Sequence, residues 1–190
     1  MPIASCRCWR REALVDTANV QAGQRVLIHA AAGGVGHFAV QIAKARGAYV
    51  IGSASAANHD FLRGIGVDEV LDYRTTDFTE TVHDVDMVLD PIDAAHGLRS
   101  LRTLRPGGVL VSIRALGTEV LKAEAEKLGV RAKVLLVEAD HTGMDALREL
   151  AESGALRPTI AGSFPLADAA KAHALGDTGR TVGKPVLTVD

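Results

Sequence analysis

The chain has 190 residues, of which 47% are hydrophobic, 23% are charged and 19 are glycine, and its formal net charge is −2. This length suits one domain of ordinary size with short appendages. The nearly balanced charge offers no basic surface for nucleic acid or for an anionic membrane, so neither is expected as a partner.

Features that direct a protein to a membrane or to an oxidising compartment are weak in this sequence. Residues 26–43 carry no formal charge, but two histidines, a glutamine and several glycines interrupt the run. No apolar signal-peptide core follows Met1. The only cysteines, Cys6 and Cys8, are too few for a disulfide framework or a closed thiolate zinc site. We therefore expect a cytoplasmic protein without a metal site.

The first predicted element is a short helix within residues 1–21. Its apolar positions are Ala13 to Val15, followed by Ala18 and Val20. A small basic cluster around Trp9 precedes them, and it indicates no specific function.

The most informative stretch runs from Val26 to Gly47. Val26–Ala30 is an apolar run typical of a strand buried on both faces, and Val35–Ala43 repeats apolar residues at helical spacing. Between them, residues 31–36 read A-x-G-x-x-G, a variant of the dinucleotide-binding fingerprint. Its small residues allow a tight turn and the close approach of a pyrophosphate, which the helix N-terminus favours electrostatically. The same residues also suit a tight turn without a ligand.

The second predicted strand, Tyr49–Ile51, bears on the choice of dinucleotide. An acidic residue about 20 positions after the start of the motif takes the ribose hydroxyls of NAD, and residues 49–59 contain none. Ser53, Ser55, Asn58 and His59 carry donors suited to a 2′-phosphate instead. NADP(H) is therefore favoured over NAD(H), although the same small polar residues also fit the cap of the next helix, 58–64.

Two of the later strand ends carry candidate site residues. Tyr73 either packs beside an adenosine or covers the sheet edge, and Asp90 suits either a ligand crevice or a buried structural role. The remaining strands are predicted at 69–73, 85–90, 109–113 and 134–137, with helical patterns at 98–104, 120–128 and 144–151.

This alternation of strands and helices predicts an α/β fold. We expect a doubly wound parallel six-stranded sheet of Rossmann type, in strand order 3-2-1-4-5-6, with its ligand crevice at the carboxyl ends of the first and fourth strands. The NAD(P)-binding domain is assigned to residues 22–161. Residues 162–190 follow it with a helix at 166–175 and a last strand at 185–189.

Several motifs occur in a fixed order along the chain: AAGGVGHFAVQIAKARGAYVIG, VLDY, LRPGGVLVSI, SGALRPTI and GKPVLTV. As an ordered set they resemble the medium-chain dehydrogenase/reductase superfamily, and specifically its quinone-oxidoreductase-like, zinc-independent branch. The resemblance implies a Rossmann coenzyme domain that binds NADP(H) for hydride transfer to quinones, enals or similar activated alkenes.

The resemblance also implies roles for individual residues. The glycine-rich turn would hold the pyrophosphate, the strand ends would surround the adenosine, and His59 stands where many relatives have a lysine for the 2′-phosphate. The candidate cofactor-binding residues are Ala32, Gly33, Gly34, Val35, Gly36, Ser53, Ser55, His59, Tyr73, Asp90 and Ile113. No catalytic residue is assigned, because His29 and His37 are better explained as hydrogen-bonded packing residues.

Members of this family carry a β-rich catalytic domain ahead of the coenzyme domain. By analogy, residues 1–21 are interpreted as a remnant that leads from that domain, and residues 162–190 as the part that returns to it. Hydride transfer needs a pocket that excludes water. We therefore expect NADP(H) binding with little turnover by the chain alone, and reduction of a small quinone or enal only with a catalytic domain. The alternative is a non-catalytic dinucleotide-binding module or a truncated remnant.

The sixth predicted strand, KVLLV, bears on association. If it ends the sheet, its apolar edge has unpaired backbone groups that invite pairing with a second copy of the chain. A homodimer is therefore expected.

Overall fold

A computed structural model describes residues 18–114, 117–135 and 141–189. Within these residues, six strands form a parallel sheet in the order β3-β2-β1-β4-β5-β6. This order confirms the predicted Rossmann topology. The strands are β1 (Arg25–Ile28), β2 (Tyr49–Ala54), β3 (Glu69–Asp72), β4 (Val85–Asp90), β5 (Leu104–Ser112) and β6 (Arg131–Val134).

Helices cover both faces of this sheet. They are α1 (Gly36–Ala45), α2 (His59–Gly64), α3 (Phe78–Thr81), α4 (Ala94–Ser100), α5 (Thr118–Lys127), α6 (His141–Glu152) and α7 (Ala169–Asp177). Short 3-10 turns at Ala56–Asn58, Leu101–Thr103 and Leu166–Asp168 precede or follow them. The predicted N-terminal helix falls largely outside the described residues, and the part from Ala18 to Val20 is a turn and loop.

Each face of the sheet has its own hydrophobic core. Successive side chains of a strand point to opposite faces, so Val26 and Ile28 pack on one side with α1, whereas Leu27 packs on the other. Each fully buried large aliphatic side chain contributes about 1.5–3 kcal/mol relative to an exposed one. The second core also contains Ile51, Val88, Leu101, Leu110 and Leu121.

Two boundaries in the second half of the sheet differ from the predicted ones. The fifth strand was predicted at 109–113, but β5 begins at Leu104. Residues 105–108 bulge out of it, and its pairing with β4 jumps from Val85–Leu104 to Met87–Val109. Strand β6 begins at Arg131 and ends at Val134, earlier than the predicted 134–137. A strand at the edge of a sheet contains polar as well as apolar residues, because alternate side chains face solvent. The position of an apolar run alone therefore gives the wrong bounds for such a strand.

A second, smaller sheet lies near the C-terminus. It pairs β7 (Ile160–Pro165) with β8 (Lys184–Thr188) in parallel, across α7. The last helix and strand were predicted, but β7 and the short helix α3 were not. Most side chains of β7 are exposed or half-buried, so this strand lacks the apolar run that marks the others.

Candidate functional site

The candidate site begins in the turn between β1 and α1. Gly33 N–H donates to the Ala30 carbonyl at 2.9 Å, and Ala30 adopts a left-handed conformation with a φ of +49°. A side chain on Gly36 would collide with the Ala30 carbonyl oxygen and with the Ala31 backbone. The turn is therefore too tight for any residue but glycine at position 36, as the fingerprint requires.

The start of α1 is suited to an anion. Val35 stands at the N-cap without a side-chain hydrogen bond to the helix, and the first turn contains no acidic residue. His37 N–H already donates to the Gly33 carbonyl at 3.1 Å and Phe38 N–H to the Val35 carbonyl at 3.2 Å. The helix dipole nevertheless favours negative charge at this end. The negative charge of a dinucleotide phosphate suits this helix end.

Lys184 adds a cation to this turn. A Cβ atom placed on Gly34 would lie 2.7 Å from the Lys184 Nζ and Cε atoms, so the lysine side chain crosses the face of that glycine. Within the described part of the chain, its ammonium has no carboxylate or hydrogen-bond partner. Lys184 was not among the predicted site residues, although the GKPVLTV motif contains it, because 150 positions separate Lys184 from Gly34.

The carboxyl ends of β2 and β3 lie at the same edge of the sheet as the turn. Tyr73 is 58% exposed there, and the guanidinium of Arg74 lies 5.7 Å from the centre of its ring. Ser55 stands at the N-cap of the 3-10 turn Ala56–Asn58, which follows β2, and its hydroxyl accepts a hydrogen bond from the Asn58 side chain at 3.4 Å. His59 is half-buried, and its Nε2 atom is shielded from solvent without a hydrogen-bond partner among the described residues.

Ser53 lies below this surface, in a buried hydrogen-bond chain. Its hydroxyl is 3.1 Å from His29 Nδ1, and His29 Nε2 is 3.1 Å from the Ser100 hydroxyl. Ser100 donates its own hydrogen to the His96 carbonyl, so His29 must donate from Nε2 and accept from Ser53 at Nδ1. The Ser53 hydrogen is therefore directed into the protein rather than toward a phosphate.

Burial also determines the charge of His29. Desolvation lowers the pKa of His29 well below its ordinary value, and the neighbouring His96 and Arg99 side chains act in the same direction. The imidazole is therefore neutral at physiological pH, as its tautomer requires. This supports the interpretation of His29 as a hydrogen-bonded packing residue.

Asp90 is fully buried at the end of β4. One carboxylate oxygen accepts from Ile92 N–H at 2.7 Å and the other from His96 Nδ1 at 2.9 Å. Ile113 follows β5 next to it and donates its N–H to the Asp90 carbonyl at 3.3 Å. These contacts give the Asp90 side chain a structural role that fixes the loop after β4.

Apart from His59 and Ile113, the predicted site residues thus fall into two groups. The turn residues Ala32 to Gly36, together with Ser55 and Tyr73, lie at the carboxyl edge of the sheet, where a dinucleotide binds in this fold. Ser53 and Asp90 lie in the polar layer beneath that edge. Lys184 and Arg74 were not predicted, and they supply the two cations that the predicted set lacked.

The known proteins to which this chain is similar include dehydrogenases and reductases. A family model described as zinc-binding dehydrogenase matches residues 65–187. The chain is 38% identical to polyketide synthase GfsB of Streptomyces halstedii, over 100% of this chain and 4% of that protein. It is 34% identical to 2-haloacrylate reductase of a Burkholderia species, over 92% of this chain and 58% of that protein.

A solved structure extends the similarity to the whole described fold. The quinone oxidoreductase from Coxiella burnetii superposes with a TM-score of 0.92 and 35% sequence identity, over 100% of this chain and 59% of that chain. The chain therefore spans less than two thirds of the length of these relatives.

Two features are absent from the described residues. These residues contain no cluster of three or more histidine, cysteine or acidic side chains arranged to hold a metal ion. None of their helices has the length and hydropathy needed to cross a membrane. Cys6 and Cys8 lie outside these residues.

Proposed function

The chain belongs to the zinc-binding dehydrogenase family of the medium-chain dehydrogenase/reductase superfamily, as its coenzyme-binding half, and on that premise we propose that it binds NADP(H) for a quinone- or enal-type reductase. When bound, the nicotinamide supplies the hydride for such a reaction. The observation that carries the proposal is the Lys184 ammonium, unpaired within the described chain, which crosses Gly34 at the start of α1.

The residues of the turn fit a pyrophosphate. Its small side chains leave the backbone accessible, the α1 N-terminus offers the positive end of the helix dipole, and Lys184 offers a positive charge beside Gly34. In the proposed role, these groups bind the two phosphates and fix the direction in which the dinucleotide crosses the sheet.

Arg74 supports the proposed preference for NADP(H) over NAD(H). It lies two positions after the end of β3, and its guanidinium lies beside the exposed ring of Tyr73. A guanidinium binds phosphate with two parallel hydrogen bonds, and residues 49–59 carry no carboxylate that would repel a 2′-phosphate. Tyr73 and Arg74 are therefore proposed as the recognition pair for that phosphate, with Ser55 and His59 beside them.

The substrate is proposed to be a small quinone, enal or similarly activated alkene. The relatives named as quinone oxidoreductase and 2-haloacrylate reductase support this class. Apolar side chains of the C-terminal part are exposed, with Ile160 at 49%, Leu166 at 56% and Val189 at 68%. We propose that a substrate domain covers them, that the reaction needs no zinc, and that the chain alone has little turnover.

A homodimer formed through the edge strand β6 completes the proposal. This strand pairs with β5 on one side only, among the described residues. An uncovered edge of this kind is suited to pairing with a second copy.

The first test is a titration of the purified chain with NADPH and with NADH, followed by ligand fluorescence and thermal shift. We expect saturable binding that is tighter for NADPH. Lys184→Met should weaken NADPH binding about tenfold, since it removes one charge-assisted contact. Lys171→Met is the matched control, because Lys171 lies on the surface of α7 in an exposed ion pair.

Two results would contradict the proposal. If neither dinucleotide binds, the glycine-rich turn is not a binding site for a nicotinamide dinucleotide. If Lys184→Met binds NADPH as tightly as Lys171→Met, the lysine does not contact the pyrophosphate. Rapid NADPH oxidation by quinones with the 190-residue chain would separately refute the expectation of little turnover.

A further inference from the structure

Two buried polar side chains on α1 have no role in the proposed cofactor contacts. His37 and Gln41 are separated by one helical turn, and both are buried. Gln41 accepts from Arg157 N–H at 2.7 Å, and its amide donates to the Arg157 carbonyl at 3.1 Å and to the His37 carbonyl at 2.8 Å. The helix therefore holds the backbone that leads into β7. We call His37 and Gln41 the α1 polar seam.

His37 connects the same segment to the fingerprint turn. Its Nδ1 lies 2.8 Å from the Gly33 carbonyl oxygen, and its Nε2 accepts from Thr159 N–H at 3.4 Å. A carbonyl oxygen only accepts, so the imidazole carries its proton on Nδ1 and keeps a lone pair on Nε2 for Thr159. One side chain thus joins Gly33 to the residue just before β7.

The segment that the α1 polar seam holds is also hydrogen-bonded to the backbone of Lys184. The Thr159 carbonyl accepts from Lys184 N–H at 2.9 Å, and Gly183 N–H donates to the Ala32 carbonyl at 3.0 Å. These bonds close a ring that runs from the turn through His37 and Thr159 to Gly183 and back to the turn. The backbone of Lys184 is fixed within it.

We infer that His37 and Gln41 are positioning residues that hold the Lys184 ammonium over the pyrophosphate turn. A lysine side chain is long and flexible, and a charge binds best when its place is set before the ligand arrives. The seam sets that place through the backbone, without touching the ligand. The inference rests on the proposed binding of a dinucleotide at this turn.

One variant at each residue removes hydrogen bonds of the seam. In His37→Asn the amide still reaches the Gly33 carbonyl but is too short for Thr159. In Gln41→Met a side chain of similar length loses all three hydrogen bonds. His173→Asn is the control, because His173 is exposed on α7. Each full-length chain is titrated with NADPH and with 2′-AMP, which lacks the pyrophosphate.

We expect both seam variants to bind NADPH about tenfold more weakly, with a shallower dependence on salt concentration. Binding of 2′-AMP should change less than twofold. Combined with Lys184→Met, neither should weaken NADPH binding beyond the Lys184→Met single variant, because residues that act through one group are not additive.

Three results would overturn the inference: unchanged NADPH binding, an equal loss for both ligands, or additive losses in the double variants. Amide hydrogen exchange of the free chains separates this inference from the proposed function. Faster exchange at Thr159 and Lys184 in the seam variants than in His173→Asn supports the hold on Lys184 even if the wild-type chain binds no dinucleotide. Unchanged exchange at both amides refutes it.

Discussion

At the scale of a single residue, the burial of His29 links stability to pH. Its folded-state pKa lies well below the ordinary value of 6.5, because desolvation disfavours the charged ring. Below pH 6.5 the unfolded chain binds a proton that the folded chain does not. The free energy of unfolding should therefore fall as the pH falls through 6.5, by up to about 1.4 kcal/mol per pH unit, until the folded-state pKa is reached.

Urea unfolding between pH 7.5 and 5 measures this slope. His29→Gln should lose about 1–3 kcal/mol at pH 7.5, because a buried hydroxyl loses its partner, but its stability should decline less steeply in acid. His83→Gln is the control, since His83 is exposed. Parallel declines for the wild-type chain and His29→Gln would show that another group is responsible.

Only some residues of the candidate site could be predicted from the sequence. The turn residues could be predicted because the chemistry of a tight glycine turn is local. The role of Ser53 could not, since its hydrogen bond goes to His29, 24 positions away. Lys184 and Arg74 were overlooked for different reasons: Lys184 lies far from the turn in sequence, whereas Arg74 stands directly after the predicted residue Tyr73.

At the scale of an element, Gly183 fixes the start of β8. It has a φ of +75°, and a side chain there would collide with the Thr159 carbonyl. Gly183→Ala should therefore lower the free energy of opening of the β7–β8 sheet by about 2 kcal/mol or more, from the left-handed backbone and the collision together. Hydrogen exchange of the β7 and β8 amides measures it.

Gly179 provides the matched control for this prediction. Its φ is +64°, but no atom lies within 4 Å of the position of an added Cβ. Gly179→Ala should therefore cost only the conformational part, about 1–2 kcal/mol. Equal losses in the two variants would mean that the approach of Gly183 to Thr159 does not constrain β8.

Elements were predictable wherever burial produced a pattern in the sequence. The central strands β1, β2 and β4 are apolar because helices cover both of their faces. Strand β7 was missed because its side chains are largely exposed, and β6 was displaced because an edge strand tolerates polar residues. The bulge at 105–108 depends on pairing with β4, which no local pattern encodes.

At the scale of the whole molecule, the sheet has an edge at β6 through which we propose that two copies pair. Leu135 N–H donates to the Ser112 carbonyl of β5 at 2.8 Å. Backbone groups alternate along a strand, so the amide of Val134 points away from β5, toward the open edge. A second copy that pairs there would need this amide.

Light scattering of the wild-type chain at micromolar concentration should give the mass of a dimer. Val134→Pro should give a monomer that keeps its fold, because proline is tolerated on an edge strand where the amide it removes faces solvent. Val134→Thr keeps the amide and should remain dimeric. A wild-type monomer would contradict association at this concentration, and a dimeric Val134→Pro would place the contact on a surface other than β6.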